Sequence, residues 1–196
     1  MDIVKARRIV TATNPRGKSY VLSDQRLGPS FHQPYRPVAM TDLWMVSSVP
    51  SSTCDDPNLG PFRLSPPNSG VTTRIVQFDP VDASDATPVD GASVFADMGA
   101  TGAHVRNAAH PYMHRTSSVD VGIILTGAIT MILDEGEVEL SQGDTVIQRG
   151  TAHAWENRTD EPCMIAFVLI AAEECTRCAG EGVHEEGSFG EVGASS

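Results

Sequence analysis

His110-Pro111-Tyr112-Met113-His114-Arg115-Thr116-Ser117-Ser118-Val119-Asp120 runs straight into Val121-Gly122-Ile123-Ile124-Leu125-Thr126-Gly127. The second half is an apolar, β-branched run closed by glycine, which reads as a strand. Side chains alternate across an extended chain, so His114, Thr116 and Asp120, which share parity, aim at one face. Further on stands Gly143-Asp144-Thr145-Val146-Ile147-Gln148-Arg149-Gly150-Thr151-Ala152-His153-Ala154-Trp155-Glu156-Asn157. Here His153, Trp155 and Asn157 share a face, and the Gly150 turn lets the strand begin abruptly.

Outward from these two segments the β signal is dense. Thr72 to Phe78, Val119 to Thr126, Ala128 to Leu133, Val138 to Leu140, Thr145 to Gln148, His153 to Asn157 and Pro162 to Ile170 follow at short spacing. Their joins carry turn residues, as in Asp134-Glu135-Gly136 and Ser141-Gln142-Gly143-Asp144. Many short strands in this rhythm predict an all-β sandwich or barrel. There is no βαβ alternation and no GxGxxG or Walker spacing, so dinucleotide and P-loop folds are excluded. Before Gly70 lie further β-like runs, Arg8 to Ala12, Ser19 to Ser23 and Asp42 to Ser48, separated by Pro/Gly/Ser-rich joins. No stretch there keeps a 3.6-residue apolar period, so helices should be few. The Asp/Ala/Pro-rich stretch Asp79 to Gly102 reads as a loop.

The two segments resemble the cupin superfamily. Its first motif is usually G-x5-H-x-H-x3/4-E-x6-G; this chain reads His114-x-Thr116-x3-Asp120-x6-Gly127, with Thr116 and Asp120 replacing histidine and glutamate, and Ala108 replacing the leading glycine. The second is usually G-x5-P-x-G-x2-H-x3-N; here it is Gly143-x4-Gln148-x-Gly150-x2-His153-x3-Asn157, one residue shorter, with Gln148 for proline. The resemblance covers about Val71 to Ala172 and implies a cupin jelly-roll barrel, a double-stranded β-helix, over 71–172. The His-Arg-Thr…Asp and Gln-Arg-Gly-Thr-x-His-Ala-Trp variants, with Arg7 to Thr11 and Leu43-Trp44 upstream, are similar to a group of small single-domain cupins. Some of these lie in fungal polyketide clusters, which implies a role in dehydration, isomerisation or aromatisation, though the fold hosts many functions.

In the superfamily three histidines and a glutamate usually bind a divalent metal. By resemblance His114, Asp120 and His153 are what remains of that set here. Two histidines and a carboxylate suit Fe(II), with Zn or Mn also open. Aspartate is one methylene shorter than glutamate, and Thr116 is a poor ligand. A metal-free reading stands beside this one. Two imidazoles and a carboxylate in an apolar barrel perform acid–base chemistry near neutral pH. His153 would remove a proton next to a carbonyl, His114 would protonate a leaving hydroxyl, and Asp120 would orient an imidazole. Tyr112, Thr116, Gln148 and Trp155 are the expected substrate pocket. Arg115 and Arg149 have the opposite parity and face away unless a bulge turns one inward, where it would bind a carboxylate or enolate oxygen.

Other conspicuous residues read as structural. His110 precedes Pro111 and belongs to a loop or rim, His104 to the surface, Trp44 and Met45 to packing between the N-terminal arm and the barrel, and Asn157 to a turn. Cys175-Thr176-Arg177-Cys178 is one CxxC pair without a second pair or a thioredoxin-like frame, hence incidental thiols. The 196-residue chain has a net charge of −11, against nucleic-acid or anionic-membrane partners. No apolar run reaches the length of a membrane helix, and the N-terminus lacks the apolar core of a secretory signal. Of four cysteines two lie close together and two are scattered, which is no disulfide framework, so a cytoplasmic, reduced protein is expected. Glu173 to Ser196 holds six acids against one arginine, −5 of the total, and reads as a solvated acidic tail. Residues 1–70 form a β-rich extension expected to pack on the barrel and on a partner in a homodimer. The expected function is a small-molecule lyase or isomerase acting on a polyketide-like carbonyl compound. A metal-dependent dioxygenase and a non-catalytic binding protein are the alternatives.

Overall fold

The computed structural model describes residues 3–33, 36–55, 60–81 and 90–174. The acidic tail's CxxC pair lies outside them. Eleven strands and one helix are formed among the described residues: β1 (Ala6–Thr13), β2 (Ser19–Leu27), β3 (Phe31–His32), β4 (Val38–Val46), β5 (Val71–Phe78), α1 (Gly91–Asp97), β6 (Ser118–Thr126), β7 (Ala128–Leu133), β8 (Gly136–Ser141), β9 (Thr145–Arg149), β10 (Ala154–Glu156) and β11 (Cys163–Ala171). The protein is all-β, with the jelly-roll barrel expected from its motifs.

The strands form a six-stranded sheet in the order β3-β4-β5-β11-β6-β9, a three-stranded sheet in the order β10-β7-β8 and a separate β1-β2 ribbon. All the pairings between these strands are antiparallel. Thus β3 and β4, upstream of Gly70, are built into the main sheet. Two-residue β3 is too short to show alternation, and β4 starts four residues before the run expected from Asp42, directly after Pro37.

Register determines which side chains meet inside. Across the large sheet Thr72, Leu169, Asp120 and Gln148 form one row. The next row on the same face is Asp42, Arg74, Phe167, Gly122 and Val146. A Cβ on Gly122 would come within 2.9 Å of the Phe167 ring, so the missing side chain makes room for that ring. Phe167 in turn meets Trp155 of the small sheet edge-on at 5.7 Å. Ile124 and Ile165 from the large sheet and Ile129 and Met131 from the small one complete a core between the two sheets. Full burial of each such side chain contributes about 1.5–3 kcal/mol. Gly127, which joins β6 to β7, has φ +72°, and a Cβ there would lie 2.6 Å from the Pro162 carbonyl oxygen. Conformation and space both demand glycine at this corner.

The described residues 90–102 of the stretch read as a loop include a helix. Asp90 caps α1 by accepting a hydrogen bond from the Ala92 N–H at 3.1 Å. The seven-residue helix buries Val94 and Phe95, and Met98 follows at its end. So short a helix gives too few turns for its apolar period to stand out in sequence.

Candidate functional site

Two segments far apart in sequence are joined at one point. The His114 N–H donates to the His153 carbonyl at 2.9 Å, and the His153 N–H donates to the His114 carbonyl at 3.0 Å. Such reciprocal pairing in an antiparallel bridge puts both side chains on the same side. The two imidazoles therefore stand next to each other, ring centres 4.2 Å apart and planes 51° apart. His104 bridges His114 from the other side, and its ring stacks on Phe95 at 5.8 Å. Phe95 also lies 4.8 Å from the His114 ring. His104 is thus partly buried, not a plain surface residue, and its Nε2–H donates to the Pro111 carbonyl at 3.1 Å.

Backbone carbonyls set the tautomers. His114 Nδ1 lies 3.1 Å from the Tyr112 carbonyl oxygen, and His153 Nδ1 lies 2.9 Å from that of Thr151. A carbonyl only accepts, so each Nδ1 carries the proton and each Nε2 keeps the lone pair. Burial disfavours the charged rings. It pushes His114 down to about 4. His153 is held well below the usual histidine range by burial and then by its neighbour His114. At neutral pH both are neutral bases, and His114 is not the ready acid expected from the sequence.

Asp120 does not hold either imidazole. Its Oδ2 receives a long 3.5 Å contact from the Thr116 hydroxyl, which is itself 2.7 Å from Ser118 Oγ. Burial raises the Asp120 pKa, opposed by the Ser118 and Thr116 hydroxyls and by Arg74. The backbone carbonyls of Tyr112 and Thr151 perform the orienting role that the sequence reading gave to Asp120.

All seven residues singled out for chemistry, Tyr112, His114, Thr116, Asp120, Gln148, His153 and Trp155, line one cavity of about 90 Å³ between the sheets. Its apolar wall includes Met40, Val76, Phe78, Phe95, Phe167 and Leu169. Several buried polar atoms around it have no hydrogen-bond partner: Asp120 Oδ1, Gln33 Oε1 and both amide atoms of Gln148. An unpaired buried polar group costs about 1–3 kcal/mol, so these atoms call for water or a polar ligand as partner.

Arg36 and Arg74 also line the cavity, and sequence reasoning did not select either. Arg115 and Arg149, the arginines it did weigh, are exposed, as their parity predicts. Arg74 is buried and forms a 2.9 Å ion pair with its cross-strand partner Asp42. It also donates to the carbonyls of Leu64 and Arg63. Its signal was present, since Arg74 shares parity with Val76 and Phe78 on an inward face, where an arginine requires a partner. Arg36, between Tyr35 and Pro37, carried no periodic signal.

His110 and Asn157 behave as expected. His110 sits outside the cavity lining, 4.0 Å from Glu156. Asn157 holds its turn: Nδ2 donates to the Phe78 and Glu161 carbonyls at 2.8 Å each, and Oδ1 accepts from the Thr159 N–H and hydroxyl.

The donors do not fit a three-ligand metal centre. Among the described residues no group of three or more His, Cys, Asp or Glu side chains is gathered closely enough to hold an ion. The imidazoles are a pair, and Asp120 stands with its hydroxyl partners instead. No helix among the described residues is long and apolar enough to cross a membrane.

Comparison with known proteins matches part of the chain to a family. Residues 104–170 match the family model described as "Cupin domain". The matched stretch carries both imidazoles. It is 48% identical over 71 residues to "Phomopsin biosynthesis cluster protein C'" of Diaporthe leptostromiformis, covering 35% of this chain and 38% of that one. It is 39% identical over 84 residues to "Cupin-domain-containing oxidoreductase srdD" of Neurospora crassa, covering 41% and 42%. The match thus spans about two fifths of the length of these curated relatives. Among solved structures, the Clostridium difficile EutQ protein aligns at a TM-score of 0.43 and 9% identity, over 85% of this chain and 97% of that one. The Schizosaccharomyces pombe Cnp3 cupin domain aligns at 0.42 and 10%, over 85% and 88%. The relatives it matches are named as biosynthesis cluster proteins and as cupin-domain-containing oxidoreductases.

Proposed function

We propose that the protein is a lyase or isomerase of secondary metabolism, acting on a polyketide-like carbonyl compound by acid–base steps. The observation that carries this reading is the pair of neutral imidazoles, zipped together by the 114–153 bridge and lining a cavity with an acid. In a dehydration His153 Nε2 takes the proton from the carbon next to the carbonyl. The electron pair left behind forms the new double bond as the β carbon–oxygen bond breaks. The departing hydroxyl takes a proton and leaves as water. Asp120, which lines the same cavity and whose pKa burial raises, is the donor in place of His114. Burial, and then the neighbouring His114, keeps His153 neutral, and both ring tautomers leave Nε2 as acceptor.

The names of four relatives contain "oxidoreductase", which favours a second reading, oxidation of a small substrate in the same cavity with molecular oxygen as the electron acceptor. One experiment separates the two. The protein is assayed for water loss and for oxidation of candidate β-hydroxy carbonyl compounds, with metal content measured in parallel. The lyase reading expects turnover without change in oxidation state, reduced about 10²–10⁴-fold in His153→Ala with an unchanged melting curve. Full turnover by folded His153→Ala and His114→Ala, or consumption of oxygen in step with product, refutes it.

A further inference from the structure

Two arginines line the cavity, and among the described residues only one of them has a carboxylate partner. Arg74 is neutralised by Asp42 at 2.9 Å. Asp120, the cavity's other acid, stands against the Thr116 hydroxyl at 3.5 Å and forms no ion pair with Arg36. Arg36 remains. Among the described residues no carboxylate lies within ion-pair distance of it. The nearby Glu156 is engaged by Arg158 at 2.6 Å.

Arg36 is held in place all the same. Its guanidinium lies over the Tyr112 ring, 4.1 Å from the centroid, and Nη2 donates to the Trp155 carbonyl at 3.2 Å. One face and one N–H are thereby used. A guanidinium has five N–H donors in a rigid fork, so most of its donors remain for a guest. Both anchors belong to the segments that carry the imidazoles: Tyr112 is two residues before His114, and Trp155 two after His153. A group bound at Arg36 is thus registered against the reacting pair. The unpartnered amide of buried Gln148 and the unpartnered Oε1 of Gln33 line the same cavity. They are an independent sign that a polar guest completes it.

We propose that the cavity takes an anionic small molecule, and that Arg36 receives its carboxylate. The substrate class of the site is then a carbonyl compound bearing a free carboxylate, not a neutral one. This rests on the cavity being the functional site, as above, but not on which reaction occurs there. An uncompensated cation in a low-dielectric cavity gains more from an anion than the same pair in water. A forked guanidinium also selects a planar carboxylate over its neutral amide analogue.

The test is a binding titration that needs no turnover. Benzoate and the isosteric neutral benzamide are titrated into the full chain, read by the fluorescence of Trp155, in wild type, Arg36→Gln and Arg36→Lys. The expected result is that benzoate binds at least about tenfold tighter than benzamide. That preference should vanish in Arg36→Gln, survive in part in Arg36→Lys, and leave benzamide affinity unchanged. Equal wild-type affinities, a preference that persists in Arg36→Gln, or no saturable binding of either probe at millimolar concentration overturns the proposal. Parallel loss of both ligands in Arg36→Gln also overturns it, and assigns Arg36 only a structural tie between Tyr112 and Trp155. Should Arg36→Gln fail to fold, the wild-type comparison and Arg36→Lys decide alone. Loss of the lyase reading through the histidine variants would leave these binding results untouched.

Discussion

Acidification should destabilise this protein through His114, by an amount that can be worked out. In the unfolded chain the imidazole titrates near 6.5, and in the folded protein burial holds it at about 4. Below about 6.5 the unfolded state binds the proton that the folded state refuses, so stability rises with pH in this window and is lost as pH falls. With these two values the contribution lost from His114 is about 2 kcal/mol at pH 5 and about 3 kcal/mol at pH 4, relative to neutral pH. His153, also depressed, adds in the same direction. Asp42 and Asp120 oppose it, because their raised pKa values let the folded state gain protons first. The assay therefore compares two proteins, not two pH values alone. Urea unfolding is measured between pH 7 and pH 5 for wild type and for His114→Gln, which cannot titrate. The wild type should lose about 2 kcal/mol more than the variant across that interval. A direct imidazole titration by NMR gives the same information without a variant, with a His114 midpoint near 4. Parallel pH slopes in the two proteins, or a midpoint near the ordinary histidine value, would refute the claim that His114 is buried as a neutral base.

Three further outcomes follow from the structure. Arg74→Met strands Asp42 without its partner and should destabilise by about 3–5 kcal/mol in urea melts, while the double variant Asp42→Leu/Arg74→Met recovers most of the loss. An additive double variant would show that the pair is not coupled. Asn157→Ala removes the ties from the turn to β5 and to Thr159 and leaves buried backbone carbonyls unpaired, which predicts a loss of about 1–3 kcal/mol; a melting point within error of wild type contradicts this. We expect a homodimer, because Ile123, Ile147 and Ile170 on the outer face of the large sheet stay 38%, 56% and 41% exposed. Light scattering should give twice the chain mass, and a monomer at micromolar concentration rules the dimer out.

Much of the barrel was legible in one dimension because a strand's pattern is local. The runs at Thr72–Phe78, Ala128–Leu133 and Thr145–Gln148 became β5, β7 and β9 with ends moved by at most one residue. Parity alone also placed Arg115 and Arg149 outside, and brought His114, Thr116 and Asp120 to the cavity side. A short helix such as α1 and the two-residue β3 were not legible, since neither is long enough to show a period.

Alternation is a property of neighbouring peptide units, so the sequence by itself determined the class of fold, the two motif strands and the inward set of side chains. What those side chains do to one another depends on distances between segments far apart in the chain, and only the tertiary structure decided that. The bridge between His114 and His153 sets the rings 4.2 Å apart. Burial makes both of them neutral bases. Register gives Arg74 to Asp42, and among the described residues Arg36 lines the cavity without a carboxylate partner. Desolvation and ion pairing act through space, and no local pattern of residue types encodes them.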